Sequence, residues 1–180
     1  SSGLIVLSPK NSFDRARSLG KVSNLEKNLK SRSKEINGKI GIAHTRWATH
    51  GEPSSLNAHP HISKNNVSVV HNGIIENYIE LKNNQLVQGY EFKSETDTEV
   101  IAHAIDYELK SCTTLIEAVQ KAVKSFEGSY GLGIISTKHP DQIIATRKGS
   151  PLIIGIGING NYIASDQMAL ISETKKFIFL

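Results

Sequence analysis

At 180 residues the chain is long enough for one domain with a sizeable buried core, and no apolar run approaches the roughly 20 residues that span a bilayer. The formal charge of +4 comes from Lys and Arg scattered along the sequence, with no dense basic stripe and no interleaved aromatics, which argues against a nucleic-acid partner. A single cysteine, Cys112, excludes an internal disulfide framework and fits a reducing, cytoplasmic setting, and "SSGLIVLSPK" has neither the basic leader nor the cleavage site of a secretory signal.

Short β-branched runs predict strands, and longer stripes at helical spacing predict helices. In chain order these are a strand over 3–8, a helix over 23–35, strands over 39–45 and 66–72, and a helix over 75–88. Two further helices follow. Over 96–111, Thr96 and Glu99 have capping-box spacing ahead of the stripe Val100, Ile101, Ala104, Ile105 and Leu109. Over 113–128, Thr114 and Glu117 repeat that box, with Leu115, Ala118, Val119, Ala122, Val123 and Phe126 as the stripe and Gly128 as the stop. Strands over 130–137, 141–148, 151–158, 161–165 and 176–180 then follow, separated by "KHPD", "KGSP" and "INGN", the pattern of an antiparallel meander. Strands, helices and strands without βαβ alternation predict an α+β sandwich of antiparallel sheets, residues 1–180 forming one domain.

The chemistry concentrates in "HTRWATHGEPSSLNAHPH", residues 44–61, and five histidines lie between 44 and 71. His44 and His71 sit inside apolar strand patterns and read as hydrogen-bonded core residues. A metal reading would combine His50, His59 and His61, but Pro60 interrupts the strand alternation that would set His59 and His61 on one face, and no metal site is expected. No G-x-S-x-G elbow is present, and Cys112 falls in a polar break between two helices, so no nucleophile declares itself. The remaining reading is a pocket wall in which Arg46 takes a carboxylate through a two-pronged ion pair. Asn72-Gly73 has the composition of a type I′ hairpin turn, but the helix pattern that follows it, in place of a second strand, argues against one.

Four stretches together, "HTRWATHGEP" (44–53), "NAHPH" (57–61), "HNGIIEN" (71–77) and "SETDTEV" (94–100), with "GSPLIIG" (149–155) and "IASDQMAL" (163–170) after them, carry a resemblance that runs through nearly the whole chain. They resemble the glutaminase domain of the class II glutamine amidotransferases of the glutamine–fructose-6-phosphate aminotransferase family. The resemblance implies a four-layer αββα sandwich, the N-terminal nucleophile hydrolase fold. It implies that Arg46 binds the glutamine carboxylate and Asp97 its ammonium, and that Asn72 and Gly73 form the oxyanion hole. It also places Trp47, Thr49 and His50 in a glutamine loop and His59 in the pocket wall.

That family attacks glutamine with an N-terminal cysteine and uses no cofactor, whereas this chain begins Ser1-Ser2-Gly3. "SSGLIVLS" resembles the family's second strand, so the nucleophile, first strand and first helix are expected upstream of Ser1. The sugar-isomerase domains that take fructose 6-phosphate are absent from these 180 residues. The resemblance also implies a homo-oligomer for the intact protein. A non-catalytic glutamine-binding or interaction module of the same fold is the alternative.

Overall fold

The computed structural model describes residues 1–33, 35–46, 52 and 54–180. β1 (Ser2–Leu7) is the centre of a three-stranded antiparallel sheet, flanked by β2 (Phe13–Ser18) and β3 (Ile40–Thr45). A four-stranded antiparallel sheet runs in the order β4 (His61–Ser63), β5 (Val67–Ile75), β6 (Gly128–Ser136), β7 (His139–Lys148). A third sheet centres β8 (Ile153–Ile156) between β9 (Asn161–Ala164) and β10 (Phe177–Phe179). α1 (Val22–Lys30) lies against β1 and β2, whereas α2 (Tyr78–Val87), α3 (Thr98–Glu108) and α4 (Leu115–Ala122) form the helical layer over the four-stranded sheet.

The two-residue period of a strand sorts these layers. On β5 and β6, Val67, Val69, Ile75, Leu132 and Ile134 turn toward the helices and join Val100, Ile101, Ile105, Leu115 and Val119 in one core. The alternate residues, Val70 and Ile135, turn the other way and meet Ile5, Leu7 and Ile42 of the first sheet. Helix, sheet, sheet, helix is therefore the order of layers, with one apolar core between the sheets and another beneath the helices. Gly133 lets the sheets approach, because a Cβ there would already touch Val70 and Ile42. No helix among the described residues is long and apolar enough to cross a membrane.

Several sequence expectations are corrected. The closing strands do not make one meander, since β6 and β7 stay in the four-stranded sheet while β8, β9 and β10 form another. Strand β2 was unpredicted because FDRARS has only Phe13 and Ala16 as apolar residues, and it forms by pairing with β1. Strand β5 continues through Asn72 and Gly73 to Ile75, paired with β6 throughout, so the asparagine–glycine pair is no hairpin turn and the next helix begins only at Tyr78.

The Thr96–Glu99 capping box does not form. Asp97 occupies the N-cap of α3, and the Glu99 carboxylate accepts hydrogen bonds from the Lys93 and Ser94 backbones instead. At α4, Thr114 does cap the Glu117 N–H at 3.3 Å, and the Glu117 carboxylate turns back to the same end of the helix, accepting from the Thr113 N–H at 3.3 Å.

Candidate active site

A cleft of about 230 Å³ opens where the two large sheets meet the start of α3, lined by His44, Thr45, Arg46, His59, His71, Asn72, Gly73, Asp97 and Thr98. Three segments supply it for distinct reasons. The first is the end of β3. Its ladder with β1 is prolonged by two bonds between Ser1 and Arg46, from Arg46 N to Ser1 O at 2.7 Å and from Ser1 N to Arg46 O at 3.2 Å, which fix the arginine backbone at the rim.

The second is the middle of β5, where alternation sends His71 toward α3 and Asn72 toward β3. His44 Nε2 lies 2.7 Å from Asn72 Oδ1, and so the sequence reading of His44 as a core residue is corrected: it is half-buried in the cleft wall. Gly73 has φ +124°, and a Cβ there would overlap the Ser129 carbonyl on β6. Only glycine carries the strand past that point without displacing its neighbour.

The third is the N-terminus of α3. Asp97 is 5% exposed, and its Oδ2 accepts the Ile75 N–H at 2.8 Å, which ties the carboxylate to the end of β5. Burial lowers the Arg46 pKa and the nearby Asp97 charge opposes that drop, so a cation and an anion face the same small space.

The histidines form a fixed, neutral lining. His59 Nδ1 accepts the His71 backbone N–H at 3.3 Å, which leaves its proton on Nε2, 3.4 Å from the Thr98 hydroxyl. Thr98 in turn stands 3.0 Å from His71 Nδ1. His59 also stacks on His44 with ring centroids 4.3 Å apart and meets His61 edge-on at 4.8 Å.

Burial pushes the pKa of His59 well down, helped by the charges of neighbouring histidines and Arg46. It pushes His61 to about 3, with Arg17 and Arg15 adding to the effect. The metal reading needed His50, His59 and His61 together. His50 lies outside the described residues, and the Nε2 atoms of His59 and His61 turn to the Thr98 and Thr96 hydroxyls. Trp47 and Thr49, expected in a loop over the substrate, also lie outside the described residues. Pro60 does not prevent a strand from starting at His61, because β4 pairs with β5 from that residue onward.

Residues 44–172 match the family model of the glutamine amidotransferase domain. The chain belongs to that family. It is 51% identical over 180 residues to the glutamine–fructose-6-phosphate aminotransferase (isomerizing) of Haemophilus influenzae, and 52% identical over 180 residues to that of Escherichia coli K12. Each match takes in 100% of this chain and 29% of the relative, so the chain spans less than a third of the length of these curated relatives. Among solved structures, the glutamine phosphoribosylpyrophosphate amidotransferase from B. subtilis complexed with ADP and GMP aligns with a TM-score of 0.79 at 23% identity, over 99% of this chain and 38% of that one. The shared architecture is the N-terminal nucleophile hydrolase fold.

Sequence reasoning missed several residues that shape the cleft of this amidotransferase domain. Arg17 donates to the Leu56 and Ala58 carbonyls at 3.0 and 2.9 Å, and Arg15 to Pro60 at 3.2 Å, which pins the segment that carries His59. Asn57, 2% exposed, clamps that segment through the Glu52 carbonyl and through both the backbone and the carboxylate of Glu95. The arginines alternate along FDRARS, which was the available signal, but scattered basic residues otherwise read as solvated surface. Cys112 sits between α3 and α4, packed on the helical core and away from the cleft lining.

Proposed function

We propose that the cleft binds glutamine. The observation that carries this reading is the placement of Arg46 and Asp97, opposite in charge, around one small cleft whose wall includes Asn72-Gly73. An α-amino acid presents a carboxylate and an ammonium a few ångströms apart, and a guanidinium beside a buried carboxylate answers both. The guanidinium takes the carboxylate in two parallel hydrogen bonds, and Asp97 takes the ammonium.

The side-chain amide then lies toward β5, where the Asn72 N–H₂ and the Gly73 N–H meet the oxygen that turns negative when a thiolate adds to the amide carbon. Trp47, Thr49 and His50 are further substrate contacts in this reading, and His59 supports the wall.

For the whole protein we propose glutamine hydrolysis to glutamate and ammonia, with transfer of the ammonia to fructose 6-phosphate to give glucosamine 6-phosphate. The names of relatives more than 50% identical support that reading. The sugar is taken by isomerase domains outside these 180 residues, in a cytoplasmic homo-oligomer. The thiol comes from a cysteine other than Cys112, so the 180-residue chain binds glutamine without turning it over. Non-catalytic binding is thus the reading for the chain itself, and catalysis that for the longer protein.

Calorimetric titration of the chain with glutamine, glutamate and asparagine tests the site, with Arg46→Lys and Asp97→Asn as controls. Glutamine binding weakened by both substitutions is expected. Absence of binding, or binding indifferent to both, would discard the assignment. Ammonia released from glutamine by the chain and abolished by Cys112→Ala would show the thiol to be misplaced here.

A further inference from the structure

Asn72 can serve a developing oxyanion only if its side-chain nitrogen, and not its oxygen, faces the substrate. A primary amide can sit either way round in the same density of atoms, so something must choose. Across the gap between the sheets, His44 Nε2 stands 2.7 Å from Asn72 Oδ1. The His44 ring is neutral, because burial lowers its pKa more than the bond to Asn72 and the nearby His71 backbone raise it.

A neutral imidazole carries one N–H. His44 Nδ1 lies near the His71 backbone but outside hydrogen-bonding geometry with any described residue, whereas Nε2 faces the Asn72 Oδ1 acceptor at 2.7 Å, and this contrast places the ring proton on Nε2. An amide oxygen only accepts, and the pair is therefore Nε2–H donating to Oδ1. Stacking on His59 at an interplanar angle of 18° holds the plane of the ring, and the Nε2 contact with Asn72 sets its orientation in that plane. His59 is itself held by the His71 N–H and by Thr98.

We propose that His44 is a positioning residue: it holds the Asn72 amide by its oxygen, so that the N–H₂ is turned into the cleft before the reaction begins. With the amide reversed, Nε2 would have to accept from the N–H₂ and the ring proton would move to Nδ1, which has no acceptor in hydrogen-bonding geometry among the described residues. The preset donor then needs no reorientation when negative charge appears, which is the condition under which such a group is most effective. This inference rests on the reading of Asn72 as an oxyanion donor.

The test is a double-mutant cycle on glutamine hydrolysis by the full-length protein, with His44→Ala, Asn72→Ala, the pair, and His44→Gln. The expected result is a fall in kcat of roughly tenfold or more for His44→Ala with glutamine KM within about threefold, since the lost contact acts only through a group used in the transition state. The double mutant should be no slower than Asn72→Ala alone. His44→Gln, which keeps an N–H donor, should recover part of the loss.

Independent, multiplying losses, or a rise in KM that accounts for the loss, would overturn the positioning role while leaving Asn72 in place. A near-normal kcat for Asn72→Ala would overturn the oxyanion reading and the inference with it. A readout free of any substitution is nitrogen-15 NMR of the histidines in the 180-residue chain. His44 protonated on Nε2 is expected, and protonation on Nδ1 would overturn the proposal.

Discussion

At Arg46 the decisive property is shape rather than charge. Lysine would keep the cation facing Asp97 but lose the fork that fits a carboxylate. A hydrogen bond to a charged group is worth about 1.5–3 kcal/mol, so Arg46→Lys is expected to weaken glutamine binding by roughly ten- to a hundredfold, read as Kd in the chain or KM in the full-length protein. Asn72→Ala should behave oppositely, with kcat falling roughly 10²–10³-fold and KM holding within a few-fold.

Gly73 is constrained twice, by φ +124° and by the Ser129 carbonyl. Gly73→Ala should therefore destabilise the chain by about 1–3 kcal/mol, visible as a lowered melting temperature even without substrate. A melting temperature matching the parent's would mean that β5 can shift there without cost.

The two threonines that precede α3 and α4 look alike in sequence and differ in what they hold. Thr114 caps the Glu117 N–H at an exposed helix end, and losing such a cap costs about 1 kcal/mol. Thr96 instead bridges the His61 ring at 3.1 Å and the Ser94 hydroxyl at 3.0 Å inside the protein. Thr96→Ala leaves a buried imidazole nitrogen without its partner, for which about 1–3 kcal/mol is the usual cost. Denaturant unfolding of the two alanine variants should thus rank Thr96→Ala as the more damaging. The reverse order would mean that water replaces the hydroxyl at His61.

Over the whole molecule the buried histidines link stability to pH. His61 has a folded pKa of about 3 against 6.5 when free, and His59, His71 and His103 are shifted in the same direction by burial. Below about pH 6.5 the unfolded chain takes up protons that the native state refuses, so stability should decline as pH falls from 6.5 toward 3 and be fully present above that window. For His61 alone the loss reaches about 2 kcal/mol near pH 5. Melting temperatures measured across about pH 5–8 should show a plateau at the alkaline side and a steep acid fall. A flat profile down to pH 5 would contradict neutral burial of this cluster.

What the sequence determined by itself was whatever is local or periodic. The stripes of α3 and α4 and the β-branched runs of β3 and β5 lie where the pattern put them, within a few residues. "HTRW", "HNG" and "TDTEV" named in advance residues that the fold brings into one cleft, among them Arg46, Asn72, Gly73 and Asp97. Tertiary structure decided everything that depends on partners distant in sequence. FDRARS has too few apolar residues to announce a strand, and it becomes one because β1 offers it a ladder. Glu99 leaves its expected capping role because the Lys93 and Ser94 backbones lie within its reach. His44 reads locally as a core histidine. Its bond to Asn72, 28 positions away, exists only because two sheets pack face to face, and no local pattern encodes which side chains meet across that gap.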